Sequence, residues 1–302
     1  MMQKAYISTL YQIMLNDSRV CSLLSDSGTD YDMMMSRDMP KQCFNFGIAE
    51  QNKVGAASGM AAMGKIPFVY TTSAFLAYRA FEFIRDDICF QKRNVKLVGM
   101  GMGIGHWSTL GTSHHTTEDI AALRSLPNLV FLSAATPLEL TQMVQFAYVH
   151  QGPVYIRIGM SAEEELYPPD YKFECGKLSK LLNGSAGIAV FTTGTVAAEV
   201  YHACEQLDAP LYNIPTIKPF DIDGVLAAVK NKRKVFTVEE HQLSGGIGSV
   251  VAEVLAENGV GIPLVRIGLD DRFAHGYGTT ASVRKCNGLD RDGIIEQIQN
   301  KL

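Results

Sequence analysis

The chain has no CxxC pair, and its six cysteines (Cys21, Cys43, Cys89, Cys175, Cys204 and Cys286) are scattered without clustering near histidines. That spacing carries no zinc signature and fits reduced thiols in a cytosolic protein. Adjacent His114 and His115 would point in different directions along any regular element, so no metal site built from this chain alone is expected. A basic surplus is also lacking: the formal charge is -4, which leaves no electrostatic footprint for nucleic acid or for an anionic membrane surface. No run of about twenty apolar residues offers a membrane span. The opening MMQKAYISTLYQ lacks the charged start and long apolar core of a signal peptide, and a soluble, cytoplasmic protein is expected.

What is present is the material of a globular α/β protein. With 302 residues and 47% hydrophobic content, the chain can hold two domains, each with its own core. KAYISTLYQIML spaces its apolar residues as a helix does, and leads through a short strand, VCSLLSD, into a polar loop, SDSGTDYD. After a helix beginning near Glu50 come strand IPFVYTT, an aromatic-rich helix over SAFLAYRAFEFIRDDICFQ, and strand NVKLVGM. The loop that follows, GMGIGHWSTLGTSHHT, is too long for a simple connection, and such loops are usually functional. Helix EDIAALRSL, strand NLVFLSA, helix TPLELTQMVQFAYVH and strand PVYIRIG complete the first half, with Thr136, Pro137 and Glu139 predicting a capping box.

From 161 to 178, acids, two adjacent prolines and a loss of periodicity mark a linker. Beyond it the alternation restarts with GIAVFTTG and continues through KVFTVEE and IGSVVAEVLAEN to PLVRIGL. The expected architecture is two α/β domains, residues 1–160 and 179–302, each a mostly parallel sheet covered by helices on both faces.

Two glycine-rich runs invite a phosphate-binding reading. GMGMGIG, residues 99–105, lacks GxGxxG spacing and reads as a loop after a strand. SGGIGS, residues 244–249, could hold an anion at a helix start but also suits an ordinary helix opening. FNFGIAEQN, residues 44–52, is more pointed. It sets Glu50 between a turn at Gly47 and a helix of small apolar residues, where a carboxylate is rarely buried unless it is paired or does chemistry. Capping the helix is the plainer role for such an acid. Phe75, Tyr78 and Phe81 could be core aromatics, His114 a loop histidine, and Arg157 the partner of an interior acid.

Taken in order, FGIAEQN, KIPFVYTTSAF, RNVKLVGM, GTSHHTTEDIAALRSLPNLVFLSAATPLEL and GPVYIRIG closely resemble the pyrimidine-binding domain of the transketolase family. KVFTVEEHQLSGGIGSVVAEVL and GLDDRF resemble that family's C-terminal domain. The family's diphosphate-binding domain, marked by GDG and a downstream asparagine, has no counterpart here, so the chain looks like the C-terminal subunit of a split transketolase.

The resemblance implies a thiamine-diphosphate-dependent transfer of a two-carbon ketol unit from a ketose to an aldehyde. It also implies a partner subunit that carries the diphosphate-binding domain and most of the Mg2+ ligands, assembled as two copies of each. It gives Glu50 a hydrogen bond to the aminopyrimidine ring, favouring the imino tautomer that removes the thiazolium proton. A carboxylate buried beside a neutral heterocycle shares a proton strongly. Phe75, with Tyr78 in reserve, corresponds to the aromatic residue that stacks on the ring. His114 corresponds to a histidine that bonds the donor's oxygens, and Arg157 to an arginine that grips a substrate phosphate. Leu110 and Met102 stand where the family's transketolases place a substrate-contacting aspartate and histidine, and His106 lies nearby in the same loop. Alternatives within the fold are a 1-deoxyxylulose-5-phosphate-synthase-like enzyme that uses pyruvate and a pyruvate-dehydrogenase-type β subunit, whose HSQS-like loop is missing here. A non-catalytic subunit that kept the fold is the alternative from outside enzymology.

Overall fold

Apolar runs short enough for strands alternate with longer amphipathic stretches, and they fold into two sheets. The structure is a computed structural model that describes residues 2–25, 30–104, 109–159 and 164–302. The first half contains α1 (Met2–Asn16), β1 (Val20–Leu24), α2 (Asp30–Asp38), β2 (Cys43–Asn45), α3 (Glu50–Ala62) and β3 (Ile66–Thr72). It continues with α4 (Phe81–Phe83), β4 (Lys96–Met100), α5 (Asp119–Leu123), β5 (Val130–Ser133), α6 (Pro137–Val149) and β6 (Val154–Ile158). The second half contains β7 (Ser179–Leu182), β8 (Ile188–Thr192), α7 (Ala197–Gln206), β9 (Leu211–Asn213), β10 (Thr216–Lys218) and α8 (Ile222–Val229). After these come β11 (Lys234–Gln242), α9 (Ile247–Glu257), β12 (Leu264–Leu269), α10 (Thr280–Cys286) and α11 (Arg291–Gln299).

Among the described residues the first sheet runs β10-β5-β6-β4-β3-β1-β2 and the second β12-β11-β8-β9-β7. Among the described strands, the antiparallel pairings are those of β10 with β5 and β7 with β9, with β10 and β7 each at an edge. β1, β4, β6 and β8 are buried along their whole length, which is why they read as continuous apolar runs rather than alternating ones. Core side chains of α1 and α6 cover one face of the first sheet. Those of α3, the 75–90 segment and α5 cover the other, in a cluster that continues into β8, α8 and α9. No described helix is long and apolar enough to cross a membrane.

The structure departs from the sequence expectations in four places. The aromatic-rich helix is not continuous: π-helical turns at Phe75–Arg79 and Ile84–Phe90 flank the short α4. Ser58 Oγ of α3 donates to the Asp87 carbonyl at 2.8 Å, an outside donor inserted into the helical ladder, which is a recognised cause of such distortion. Second, β10 lies beyond the linker yet completes the first sheet, and Lys218 Nζ reaches the Leu126 and Arg124 carbonyls at 2.5 and 3.2 Å. Third, Thr136 Oγ1 caps α6 by accepting from the Glu139 amide, but the Glu139 carboxylate takes the Ala135 amide at 2.7 Å, one residue before the box position. That carboxylate also accepts from Tyr167, Tyr171 and Asn213, so it ties α6 to the linker and to β9, and burial pushes it up to about 7. Fourth, the SGGIGS helix start already holds an anion from within the chain: the Glu239 carboxylate accepts from the amides of Ile247 and Gly248 at 2.7 and 2.9 Å.

Candidate functional site

Glu50 is the first residue of α3 and is 1% exposed. Its described hydrogen bonds leave the helix: Oε2 accepts from Arg79 Nη1 at 2.6 Å, and Oε1 from Thr71 Oγ1 at 3.4 Å. The contact extends further. Ser25 Oγ donates to Thr71 Oγ1 at 2.9 Å and accepts from Lys53 Nζ, which also donates to the Tyr70 carbonyl at 3.1 Å. Lys53 is fully buried one helical turn after Glu50, so two cations support one buried carboxylate, one directly and one through two hydroxyls.

A cavity of about 190 Å³ opens over this carboxylate, walled by Ile48, Phe75, Met100, Leu110 and His114. The Phe75 and His114 rings meet edge to face with centroids 5.0 Å apart, and the Arg79 guanidinium carbon sits 4.4 Å from the Phe75 centroid. His114 ends a 3-10 turn, Thr112–His114, with Nδ1 2.9 Å from Ser113 Oγ, and burial lowers its pKa, which leaves the imidazole neutral near pH 7. Gly111 starts that turn at φ 72°, a backbone conformation that favours glycine, and it lies against the Tyr277 ring. The second sheet props the same loop from behind: Gln242 donates its amide to the Thr117 carbonyl at 2.8 Å, and His241 Nε2 accepts from the Ala121 amide at 3.3 Å.

The expected site residues do not all converge. Glu50, Phe75, Leu110 and His114 line the one cavity, with Leu110 at 49% exposure on its rim. Tyr78 lies on the other side of Phe75, in a larger cavity of about 600 Å³ that Arg79, His115, Glu118 and Phe273 also line. Its hydroxyl donates to Glu118 Oε2 at 2.7 Å and accepts from the Glu118 amide at 3.0 Å, and burial pushes the phenol up. Of the two stacking candidates, the structure therefore sets Phe75 beside Glu50.

Arg157 lies apart from both cavities. It is 1% exposed, its Nε donates to Asp119 Oδ2 at 2.8 Å, its Nη2 reaches the carbonyls of Thr116 and Glu240, and its Nη1 faces the Met102 sulfur. The whole fork is used inside the protein, where it joins β6 to α5 and β11 as the counter-ion of Asp119, and Arg157 does not line the cavity over Glu50. Met102 is 1% exposed with its sulfur 3.6 Å from Arg157 Nη1, and it too faces this interior cluster. His106 lies outside the described residues. Arg79, Lys53, Ser25 and Thr71 were not singled out in the sequence. Lys53, three residues after Glu50 in a helix of small residues, was the available signal.

The cavity combines a carboxylate at its floor, the aromatic ring of Phe75, the imidazole of His114, hydroxyl groups of Ser25, Thr71 and Thr72, and apolar side chains of Ile48, Met100 and Leu110, a mixture that can receive a flat heterocycle with a ring nitrogen. The described residues contain no group of three or more His, Cys, Asp or Glu side chains placed to hold a metal ion.

Comparison with known proteins gives a consistent outcome. Residues 1–162 match the family described as transketolase, pyrimidine binding domain, and residues 179–294 match the transketolase C-terminal domain. A subunit of an apulose-4-phosphate transketolase of Actinobacillus succinogenes is 35% identical over 265 residues, 86% of this chain and 85% of that one. A 6-deoxy-6-sulfo-D-fructose transketolase subunit of Clostridium sp. is 31% identical over 300 residues, 97% of this chain and 92% of that one. A solved structure described as a split gene transketolase, inactive beta4 tetramer, superposes with a TM-score of 0.87 at 32% identity, covering 99% of this chain and 97% of the other.

Proposed function

The chain belongs to the transketolase family, and from that premise we propose that it is the pyrimidine-binding subunit of a thiamine-diphosphate-dependent transketolase, moving a two-carbon ketol unit from an anionic ketose to an aldehyde. The observation that carries this reading is the buried Glu50 carboxylate at the floor of a cavity walled by Phe75 and His114. Thiamine diphosphate, when bound, supplies the thiazolium carbon at which carbanion chemistry is run.

The residues of this chain have separate tasks. Glu50 holds a proton between its carboxylate and a ring nitrogen of the aminopyrimidine. Phe75 offers an apolar face to the ring, which packs there without breaking hydrogen bonds. His114, neutral and poised beside Phe75, can pass a proton to or from a substrate hydroxyl or carbonyl oxygen. Leu110 sets an apolar patch at the rim, and this favours donors that need no carboxylate contact there.

The diphosphate and its Mg2+ are assigned to a second subunit on the names of the relatives. A pair of each subunit then makes the working assembly. Two relatives support these points by their descriptions: one is named as a subunit of a transketolase, and the split gene transketolase in its beta4 form is described as inactive. The names of the two enzyme relatives, a sugar phosphate transketolase and a sulfosugar transketolase, support an anionic donor.

The test is to co-express the chain with the product of its neighbouring gene, add thiamine diphosphate and Mg2+, and assay ketol transfer from phosphorylated and sulfonated ketoses, with pyruvate as control. Transfer by the pair and none by the chain alone is expected. A pair that stays inactive with every donor and binds no cofactor would sink the reading.

A further inference from the structure

Two walls of the cavity over Glu50, Phe75 and His114, come from separate parts of the chain. Phe75 stands on the π-helical turn Phe75–Arg79, whose Leu76 and Ala77 are fully buried in the core beside the first sheet. His114 ends a short turn in the long loop after β4, and that loop is anchored elsewhere. Thr116 exchanges backbone hydrogen bonds with Gly103 at 2.9 and 3.0 Å, and the Thr117 carbonyl accepts from the Gln242 amide of the second sheet at 2.8 Å. Neither anchor reaches the Phe75 turn.

Tyr78 joins the two walls. It follows Phe75 on the same π-helical turn, and Glu118 follows His114 a few residues further along the loop. The Tyr78 hydroxyl donates to Glu118 Oε2 at 2.7 Å and accepts from the Glu118 amide at 3.0 Å, so one oxygen grips both the side chain and the backbone of that residue. Thr117 Oγ1 donates to the other carboxylate oxygen at 2.8 Å, which holds the acceptor in orientation. Burial pushes the phenol up, so it stays protonated and remains a donor near neutral pH. With this clamp closed, the Phe75 and His114 rings rest edge to face, 5.0 Å between centroids. Tyr78 itself lines the neighbouring cavity, so it acts on the site from outside.

We propose that Tyr78 is the positioning residue for His114: through Glu118 it sets how the histidine stands against the Phe75 wall, without touching cofactor or substrate. The inference rests on the role in transfer proposed above for His114. An imidazole passes a proton only from within hydrogen-bond reach of the reacting oxygen, and small misplacements of such a group are costly. Freed of the clamp, the loop keeps its anchors at Gly103 and Gln242, while Phe75 stays rooted in the core. Loss of the hydroxyl therefore acts on turnover and spares cofactor affinity.

The experiment measures kcat for ketol transfer by the complex of this chain with its second subunit, thiamine diphosphate and Mg2+, beside cofactor affinity by isothermal titration. Tyr78→Phe keeps the ring and removes the hydroxyl. It should lower kcat about tenfold, between the effect of one neutral hydrogen bond and the roughly hundredfold cost of an ångström of misplacement, with cofactor affinity within about twofold of wild type. Glu118→Ala should match it, and reports the same clamp from its other half if Tyr78→Phe fails to assemble. Glu118→Gln keeps an acceptor for the phenol and the same backbone amide, so it should hold kcat within about threefold of wild type. In a His114→Ala background the further loss from Tyr78→Phe should shrink below about twofold, because the group it positions is gone. Where that background leaves no measurable rate, the Glu118 pair decides. Wild-type kcat in Tyr78→Phe, an undiminished loss without His114, or a fall in cofactor affinity that accounts for the lost rate overturns the positioning role and leaves the transketolase reading standing. No transfer by the wild-type complex overturns both.

Discussion

Replacing Arg157 by methionine removes the only positive charge that the described contacts place on Asp119, which is fully buried with one oxygen, Oδ1, already lacking a hydrogen bond. Burial pushes the Asp119 carboxyl above the usual carboxylate range, and the Arg157 guanidinium is the main influence pulling the other way. Breaking one side of such a pair typically costs about 3–5 kcal/mol, because the remaining charge stays buried without compensation. The carbonyls of Thr116 and Glu240 lose a donor in the same step, so the cost falls on the junction between the two sheets as well as on α5. In a chain of this size that corresponds to a fall in melting temperature of roughly 10 °C, measurable by circular dichroism on the purified chain. Arg157→Met combined with Asp119→Leu should recover more than half of the loss, because a buried pair exchanged for apolar residues is often neutral. An Arg157→Met protein that melts within about 2 °C of wild type, as for an ordinary surface change, and instead shows a raised KM for phosphorylated donors would refute the interior role and restore a substrate contact.

Three further outcomes are expected. Glu50→Gln should lower kcat by about 10²–10⁴-fold, the usual worth of one positioned proton-transfer group, with an unchanged far-ultraviolet spectrum, and a variant of wild-type activity would remove Glu50 from the mechanism. Leu110→Asp alters a rim residue that is half exposed, so it should leave the melting temperature nearly unchanged while shifting kcat/KM among donors that differ in the hydroxyl beside the carbonyl. Glu139 carries a pH signature. Its carboxyl is raised from 4.5 to about 7 by burial, so the folded state binds the proton more tightly. The associated stability is complete below pH 4.5 and is lost as the pH rises through about 7. Relative to Glu139→Gln, wild type should therefore lose about 3 kcal/mol across that window in urea unfolding, and a flat difference would contradict the assignment.

How much of this was legible in the sequence depended on whether a signal was local. The two sheets followed from apolar runs such as VCSLL and YIRI, because strands buried on both faces cannot hide their composition. Glu50 stood out because an acid preceding a run of small helix formers is anomalous wherever the chain puts it. Arg157 shows the limit: its position on β6 was readable, but its partner comes from α5 and its direction from the sheet, so interior pairing and substrate contact looked alike in one dimension. Arg79 was hidden for a related reason. Its place in an aromatic-rich helix was readable, while its partner, Glu50, opens a different helix and is identified only by the fold. β10 was missed because TIK is too short to carry a period and draws its register from β5. The glycines of SGGIGS were readable as a helix start suited to an anion, while the anion, Glu239, sits in the preceding strand and is identified only by the fold.

Under the proposed function, the cavity over Glu50 takes one end of a cofactor whose other end is held by a different polypeptide. Equilibrium dialysis of labelled thiamine diphosphate with Mg2+ against this chain, against the second subunit and against their mixture is the decisive measurement. Retention of one cofactor per copy of this chain in the mixture, and none by this chain alone, is expected. Stoichiometric binding by this chain alone, or no retention by an assembled mixture, would refute the divided site.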